Sequence, residues 1–310
     1  MNSKKDLIAV SKMYYYHNMT QNEIAEELDI SRIKVSRMLQ QARDAGIVTV
    51  TVNDSPSYEH LEKVIKEHFH LENVMITDIH DHDVRASLAK IAGNYLNTIL
   101  EEKEIIAVGW GKTLKELTKY SYGNLNKRST FTPLIGGHGD QNFNMHSNSI
   151  ANQLAENYLA KSTTILAPAF AQTKNAANMY LNDPNVISTI HKTSKADIAL
   201  FSIGNPNDEE TTIRSTGYLS EDELSLIQTS EAACDIASII FLNKNGQEVL
   251  PELEERRISI SAQDFIQIPR KICVAGGRKK HNSILSAIKS DYINELIIDI
   301  DTARFIMNNI

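Results

Sequence analysis

The chain has 310 residues, of which 42% are hydrophobic, and its formal net charge is −7. This length and composition allow about two domains with sizeable cores and exclude general disorder. No apolar run approaches the roughly 20 residues of a membrane-spanning helix, and the N-terminus lacks a secretory signal pattern, so we expect a cytoplasmic protein.

The charge is distributed unevenly along the chain. Residues 1–52 contain seven Lys or Arg and six Asp or Glu, a net charge of +1, so the remainder carries −8. A local basic face is sufficient for nucleic-acid binding, while an acidic body limits non-specific binding. Because +1 is only weakly basic, we expect a dimer or higher oligomer to supply enough phosphate contacts.

A helical segment followed by a helix-turn-helix is predicted at the N-terminus. Leu7–His17 is the first helix, and its aromatic residues are better explained by packing than by contacts with phosphate. Thr20 and Glu23 have the spacing of a capping box for the next helix, and Ser31 can cap the helix after it. Beyond Gly46, residues 47–52 alternate as a strand does, which predicts a winged helix-turn-helix.

The last of these helices carries the chemistry, with four basic residues and no acidic one from Ser31 to Arg43. Its apolar residues recur at helical spacing and face inward, so its long cationic side chains project outward, as in a helix that enters a DNA major groove. The alternative is a helical hairpin whose charges are only solvated, which leaves the one-sided basic charge unexplained. The candidate DNA-binding residues are Thr20, Gln21, Ser31, Arg32, Lys34, Ser36, Arg37 and Gln40.

A polar stretch with a helix-breaking proline, residues 53–57, precedes a helix predicted over Tyr58–His70. We therefore predict a DNA-binding domain over 1–53, a linker helix within 54–72 and a second domain over 73–310. The histidines of the linker helix lack the partners of a zinc site, so no metal is expected. The two cysteines, Cys234 and Cys273, sit in apolar runs and are interpreted as buried thiols.

From residue 73 onward, strand-like and helix-like segments alternate, which is typical of a Rossmann-like α/β domain with a mostly parallel sheet. The predicted strands are short, apolar and β-branched, as expected for strands covered on both faces. They are Val74–Thr77, Ile105–Val108, Phe131–Leu134, Thr164–Ala167, Ile198–Ile203, Ile236–Phe241, Ile272–Ala275 and Leu296–Asp299. The predicted helices are Val84–Leu100, Leu114–Tyr120, Ser147–Leu159, Ala176–Leu181, Asp222–Gln228, Asn282–Ile288 and Thr302–Met307.

Glycine or polar clusters follow four of these strands, at the edge of the sheet where ligands of α/β proteins bind. Glycines there also serve tight turns alone, but the nearby Arg214, Lys279 and Lys280 favour an anionic small ligand such as a phosphorylated sugar. Asp235 is either a hydroxyl acceptor or a cap. No dinucleotide or ATP motif is present, and no cofactor is expected. The clusters are Val108–Leu114, Leu134–Asn142, Ser202–Asn205 with Thr212–Ser215, and Ala275–His281.

The segment TQNEIAEELDISRIKVSRMLQQARDAGIVTV, followed in order by VGWGKTL, PLIGG, TTIRSTGYLS, CVAGGRKKHNSI and LIIDIDTARFI, resembles the SorC family of sugar-responsive bacterial transcriptional regulators. The resemblance implies an effector domain related to sugar-phosphate isomerases and deaminases. It also implies operator double-stranded DNA and a phosphorylated sugar as partners, and a tetramer built as a dimer of dimers.

Effector contacts are implied in the same way. For the phosphate they are Gly111, Lys112, Thr113, Leu114, Arg214 and Lys280, and for the sugar hydroxyls Gly137, His138, Gly139, Asp140, Gln141 and Asp235. The family pattern has a single lysine where this chain has Lys279 and Lys280, so the two are alternatives for the phosphate contact.

The sequence thus predicts a regulator of a carbohydrate-utilisation operon whose affinity for its operator depends on a bound sugar phosphate. Polyol, pentose and hexose phosphates all fit the predicted groups, and repression and activation are equally compatible with them. The alternative is a sugar-phosphate isomerase or deaminase-type enzyme that would use His138, Asp140 and Asp235. That alternative leaves the DNA-binding segment without a role.

Overall fold

The computed structural model describes residues 3–50, 57–137 and 143–310. Three helices begin the chain: α1 Lys4–Tyr15, α2 Gln21–Glu27 and α3 Arg32–Asp44. Each follows a serine or threonine cap: Ser3, Thr20 and Ser31 accept a hydrogen bond from the backbone three residues on. These caps satisfy N–H groups that would otherwise lack partners, so the local sequence sets where each helix starts.

The three helices enclose a small core of their own, which confirms the predicted helix-turn-helix. Its buried residues come from the apolar stripes of all three helices. They are Leu7, Val10, Ile24, Ala25, Val35, Met38, Leu39 and Ala42.

The structure corrects the predicted wing. Residues 47–50 are not a strand: Ile47 and Val48 pack on the three-helix core, and Val50 is 70% exposed. The described residues include no partner strand beside this segment, and a strand without a pairing partner is not stable in water. Residues 51 and 52, the rest of that prediction, lie outside the described residues.

The predicted linker helix is present as α4 Glu59–His68. It lies against the larger domain: Ile65 is fully buried, and Leu61 and Phe69 pack on that domain's core. The side chain of Glu62 also accepts a hydrogen bond from the backbone of Ile76 at 2.8 Å. Helix α4 is therefore held on the sheet domain.

The larger domain is built on two sheets. The strands, in chain order, are β1 Asn73–Thr77, β2 Ile105–Val108, β3 Thr130–Pro133, β4 Lys161–Ser162, β5 Ile198–Phe201, β6 Ile203–Gly204, β7 Cys234–Ile236, β8 Ile240–Leu242, β9 Glu248–Val249, β10 Arg270–Val274 and β11 Glu295–Asp299. In the described part of the chain, seven of them form one parallel sheet in the order β1-β11-β10-β5-β2-β3-β4. A smaller antiparallel sheet has the order β6-β7-β8-β9.

Helices cover both faces of the parallel sheet, with one large apolar cluster on each side. This explains why strands such as β5 and β11 are buried at every position. The remaining helices are α5 Val84–Ile99, α6 Lys112–Leu117, α7 Ser147–Asn157, α8 Lys174–Leu181, α9 Pro184–Thr193, α10 Thr212–Ser215, α11 Glu221–Thr229, α12 Ala262–Gln267, α13 His281–Ala287 and α14 Ile300–Met307.

Three predicted strands are corrected. The strand expected over Ile198–Ile203 ends at Phe201, because Ile203 belongs to β6, which pairs with β7 in the smaller antiparallel sheet. The strand expected over Thr164–Ala167 is irregular, because the backbone N–H and carbonyl of Ile165 bond to the side chain of Asn148 instead of a neighbouring strand. The single strand expected over Ile236–Phe241 is two strands, β7 and β8, joined by a tight turn. That turn needs positive φ at Ala237 and Ser238, which no apolar pattern announces.

Candidate functional site

A cavity of about 320 Å³ opens at the carboxyl ends of β2, β5 and β10, three neighbouring strands of the parallel sheet. It is lined by three of the four predicted clusters and by a loop between β6 and α10. The lining residues are Arg85, Trp110, Gly111, Lys112, Thr113, Ser202, Ile203, Gly204, Asn205, Asp208, Glu210, Thr211, Thr212, Asp235, Ala237, Gly276, Gly277, Arg278, Lys279 and Lys280. The size suits one small ligand.

The loop between β2 and α6 forms one wall of this cavity. Gly111 has φ +115°, and an added Cβ would lie 3.3 Å from the hydroxyl of Thr212, so a side chain here would be strained. Lys112 and Thr113 follow it into the cavity wall. Leu114 is fully buried in the apolar core below α6 and does not line the cavity, although it was predicted to contact the effector.

The loop after β10 forms the opposite wall and is anchored from beneath by a buried carboxylate. Asp299 accepts hydrogen bonds from the backbone of Gly277 at 2.8 Å and from the hydroxyl of Thr302 at 2.7 Å. An added Cβ at Gly276 would lie 2.2 Å from the Asp299 carboxylate. Only glycine fits there, and the anchored loop then directs the basic residues that follow toward the ligand space.

Lys279 and Lys280 occupy different environments. Lys279 is exposed and forms ion pairs with Glu210 at 2.8 Å and Asp208 at 3.5 Å, at the mouth of the cavity. Lys280 is half-buried and has no ion pair within the described residues. Burial lowers the pKa of Lys280, and Arg85 lowers it further, against the opposing effect of Asp235. The geometry therefore favours Lys280 over Lys279 as the contact for an anionic ligand.

Asp235 both lines the cavity and holds the turn between β7 and β8. Its carboxylate accepts hydrogen bonds from the backbone of Ser238 at 2.5 Å and from the Ser238 hydroxyl at 3.0 Å. Burial raises the pKa of Asp235 to about 6, although the hydrogen bonds from Ser238 and the charge of Lys280 act in the opposite direction. The two interpretations of Asp235, cap and hydroxyl acceptor, are thus compatible in one position.

This burial predicts a pH-dependent cost in stability. An aspartate in the unfolded chain has a pKa of about 3.9, below the folded value, so the folded protein binds the proton more tightly. Stability therefore falls as the pH rises from about 4 to about 6. In Asp235→Asn the amide keeps both hydrogen bonds with Ser238 without the charge. We expect this variant to be more stable than the wild type by about 1–3 kcal/mol at pH 7.

Urea unfolding followed by circular dichroism measures this difference. At pH 4, Asp235 is neutral in the folded protein and only about half ionised in the unfolded chain, so the two proteins should unfold at nearly the same urea concentration. An Asp235→Asn protein that is less stable than the wild type at pH 7 would contradict the argument.

Several predicted effector residues are not part of the cavity wall. Gly137 packs against His146, whose Nδ1 would lie 2.4 Å from an added Cβ, and its carbonyl accepts a hydrogen bond from Asn148. Arg214 donates from Nε to the carbonyl of Pro206 at 2.9 Å, so it supports the loop above the cavity. His138, Gly139, Asp140 and Gln141 lie outside the described residues.

Other residues that line the cavity were not named individually as effector contacts: Arg85, Trp110, Ser202, Asn205, Thr212 and Arg278. All of them except Arg85 lie within the predicted clusters, so Arg85 is the one that the sequence argument missed. Arg85 lies in the first turn of α5, which follows β1 after residues 78–83, and a parallel sheet places the carboxyl end of β1 at the same edge as the others. The position of Arg85 in the sequence, shortly after a predicted strand, could therefore have identified it as a residue near the ligand. Trp110 stacks on Tyr218 with ring centroids 6.2 Å apart, a contact between distant parts of the chain that no local pattern predicts.

The helix-turn-helix presents the predicted basic face to solvent. Arg32, Lys34, Ser36, Arg37 and Gln40 are all exposed on α3. Arg32 also borders a groove with Thr20 and Gln21 of the neighbouring helix. Thr20 and Ser31 have capping roles as well. The side chain of Gln40 donates to Asp44 at 2.7 Å and accepts from Arg43 at 2.7 Å.

The helix-turn-helix also contacts the sheet domain next to α6. Tyr16 stacks on Tyr122 with ring centroids 3.8 Å apart and planes at 15°. Nδ1 of His17 lies 3.2 Å from the carbonyl oxygen of Gly123. Helix α6 starts at the cavity with Lys112 and ends at Leu117. Only residues 118–121 separate its end from the contact at Tyr122.

Two kinds of site are not found in the described part of the chain. No group of three or more His, Cys, Asp or Glu residues among 3–50, 57–137 and 143–310 is placed to hold a metal ion. None of the helices in those ranges has the length and apolar character needed to cross a membrane.

Comparisons with known proteins agree with this architecture. The family described as "Putative sugar-binding domain" matches residues 57–308, and the family described as "Sigma-70, region 4" matches residues 10–45. The chain is 29% identical over 307 residues to the deoxyribonucleoside regulator of Bacillus subtilis (strain 168), covering 98% of this chain and 97% of that protein. It is 27% identical over 311 residues to the sorbitol operon regulator of Klebsiella pneumoniae, covering 97% of each.

A solved structure shows the same arrangement over the full length. The crystal structure of the full-length sorbitol operon regulator SorC from Klebsiella pneumoniae matches with a TM-score of 0.75 and 26% identity, covering 98% of both chains. These relatives are transcriptional regulators and not enzymes, which confirms the regulator prediction over the enzyme alternative.

Proposed function

Because this chain belongs to the SorC-type family of transcriptional regulators with a sugar-binding domain, we propose that a phosphorylated sugar in the cavity controls its affinity for operator DNA. The effector would bind one arrangement of the protein better than another and shift the population toward it. Helix α3 would be the element that enters the major groove.

The observation that carries this proposal is the excess of unpaired cations around the cavity. Within the described residues, Arg85, Lys112, Arg278 and Lys280 form no ion pair, whereas Lys279 is neutralised by acidic neighbours at the mouth. Cations without ion-pair partners around a cavity favour an anionic ligand, and a phosphate group can accept several of their hydrogen bonds. The ligand should therefore carry at least one phosphate.

Polar groups on the remaining wall suit the sugar. Ser202 presents a buried hydroxyl that has no hydrogen-bond partner among the described residues. Asn205, Thr212 and Asp235 lie around the same space. Since a site with an unpaired buried polar group binds hydroxyl-bearing ligands selectively, the Ser202 hydroxyl supports a carbohydrate over a simple anion.

The names of the relatives suggest the class of operon. One is named a deoxyribonucleoside regulator and another a sorbitol operon regulator. We propose that this chain regulates a carbohydrate-utilisation operon of comparable type, with a pentose or polyol phosphate as a natural first choice of effector.

A physical route between the two domains supports the linkage. Helix α6 starts at the cavity wall with Lys112, and its apolar side chains Leu114 and Leu117 are fully buried. It leads directly to Tyr122 and Gly123, which touch the helix-turn-helix. A small movement of this packed element on effector binding would shift the contact with the DNA-binding domain.

We further propose that the working unit is a tetramer, a dimer of dimers. Three large side chains on and near α8 and α9 are exposed: Leu166 at 72%, Met179 at 77% and Ile187 at 46%. Contact between copies of the chain would cover them. Sedimentation equilibrium tests this: a protein that stays monomeric at micromolar concentrations would contradict it.

The central experiment is fluorescence anisotropy on duplex DNA from the protein's own promoter, with and without a panel of sugar phosphates. We expect sequence-specific binding whose midpoint shifts with one or a few of them. Binding without sequence preference would contradict the DNA-binding part of the proposal. Specific binding that no phosphorylated carbohydrate changes would contradict the effector part. A thermal-shift screen selects candidates, because a ligand of the native state raises Tm.

Arg37 is expected to contact DNA directly. It is exposed on the outward face of α3, and no described residue pairs with it. Arg37→Ala should weaken binding to the specific duplex by about 1–3 kcal/mol if it contacts a base, and leave effector binding unchanged. Anisotropy titration measures the first and calorimetry the second. Lys12→Ala, an exposed lysine on α1, is the control, and an equal loss in both variants would mean that only general charge matters.

A further inference from the structure

An exposed isoleucine projects from the first turn of α3, on its outward face. Ile33 is 67% exposed and is the one large aliphatic side chain on this fully described helix that is exposed. At 100° per residue it lies opposite the buried stripe Val35, Met38, Leu39 and Ala42, next to Arg37 one turn on. Ile33 therefore covers no part of the protein's own core.

The surroundings of Ile33 are cationic. Arg32, Lys34 and Arg37 flank it, and the first acidic residue of the helix is Asp44 at its far end. Neither Arg32 nor Arg37 has an ion pair among the described residues. A partner for this face must be anionic around its edge and apolar at one point. The DNA major groove meets this description, because phosphates border it and the C5-methyl group of thymine is the apolar group on its floor.

We propose that Ile33 contacts the methyl group of a thymine in the operator and thereby selects an A·T pair at that position. This inference rests on the DNA binding described above. The isoleucine side chain can neither donate nor accept a hydrogen bond. Any base preference that Ile33 provides must therefore come from apolar contact. The preference would be lost with the methyl group even when the base pair is kept.

The test uses duplexes that bind the wild-type protein, selected from a randomised pool. In the selected sequence each thymine is replaced singly by deoxyuridine, which removes only the methyl group. At one thymine of each half-site we expect the wild type to lose about fourfold in affinity, the effect of burying one methyl-sized group. Ile33→Ala should bind the thymine and uracil duplexes equally. Ile33→Val, which keeps the branched shape, should retain part of the difference.

Lys34→Ala is the matched control. It removes a neighbouring exposed side chain, so it should weaken binding to all duplexes alike and keep the sensitivity to the methyl group. Circular dichroism checks that each variant is folded, which we expect since neither side chain is part of the core.

The outcomes separate this inference from the function on which it rests. If the wild type selects a defined sequence but no thymine is sensitive to loss of its methyl group, the role of Ile33 is refuted and DNA recognition stands. The role of Ile33 is also refuted, and DNA recognition again stands, if Ile33→Ala remains sensitive to loss of the thymine methyl group. A protein partner bound by α3, together with duplexes that are insensitive to loss of the methyl group, would refute the role of Ile33 in the same way. If the wild type enriches no sequence from the pool, both fail.

Discussion

Replacing Lys280 by methionine is expected to weaken effector binding by about 10- to 100-fold and leave DNA binding in the absence of effector unchanged. The ammonium of Lys280 faces the cavity without an ion pair among the described residues, and its burial makes a charged ligand oxygen its best partner. A hydrogen bond between charged groups contributes roughly 1.5–3 kcal/mol, which corresponds to this loss. Methionine keeps the length of the side chain, so the wall of the cavity stays filled.

Isothermal titration calorimetry with the effector found in the thermal-shift screen measures this loss. Lys279→Met is the matched control: its ammonium is exposed and held by Glu210 and Asp208 at the mouth, so it should weaken binding by no more than about threefold. If the two variants lose equally, the cavity acts through its general positive potential. If Lys279→Met loses more, Lys279 is the phosphate contact and our assignment is wrong.

Replacing Tyr122 by alanine is expected to uncouple the two domains. The variant should bind effector and operator with near wild-type affinities, but the change in operator affinity on effector binding should fall toward onefold. The reason is the stacked contact of Tyr122 with Tyr16, which joins the helix-turn-helix to the loop at the end of α6. Coupling between sites is typically about 1–3 kcal/mol, a 5- to 150-fold change in affinity, so its loss is measurable.

The measurement is operator binding by anisotropy at zero and at saturating effector. Tyr122→Phe keeps the stacked ring and lacks only the hydroxyl. It should keep the change in operator affinity on effector binding, which would show that the stacking and not the hydroxyl is responsible. A Tyr122→Ala protein that responds as fully as the wild type would show that the signal travels by another route, such as the arrangement of subunits.

The helix-turn-helix is the part of the fold that the sequence determined most completely. Its helices begin at Ser3, Thr20 and Ser31 because a hydroxyl there bonds to the backbone three residues on, an interaction within four residues of sequence. Its buried and exposed faces follow from the helical period, so the exposure of Arg32 and Arg37 was predictable. The lack of a strand over the described residues 47–50 was not predictable, because a strand depends on a partner elsewhere in the chain.

The parallel sheet was predictable as a class but not in its details. Short, mostly apolar strands such as β5 and β11 are buried on both faces, and their composition reflects that burial. The segment Thr164–Ala167 has the same composition yet is no strand, because Asn148 bonds the backbone of Ile165. Apolar composition reports burial, and only the hydrogen-bond partner decides between a strand and a buried irregular segment.

By itself, then, the sequence determined the helical N-terminal region and the α/β fold that follows it, the capped basic helix and the glycine-rich loops at the carboxyl edge of a parallel sheet. These features depend on neighbours within a few residues, or on a periodicity that burial imposes along one element. The tertiary structure decided which loops share a cavity, that Lys279 is held by acidic residues about 70 positions earlier while Lys280 faces inward, and that Gly137 packs against His146. Each of those outcomes depends on a contact between distant segments, and the energy of such a contact appears only when the chain has brought them together.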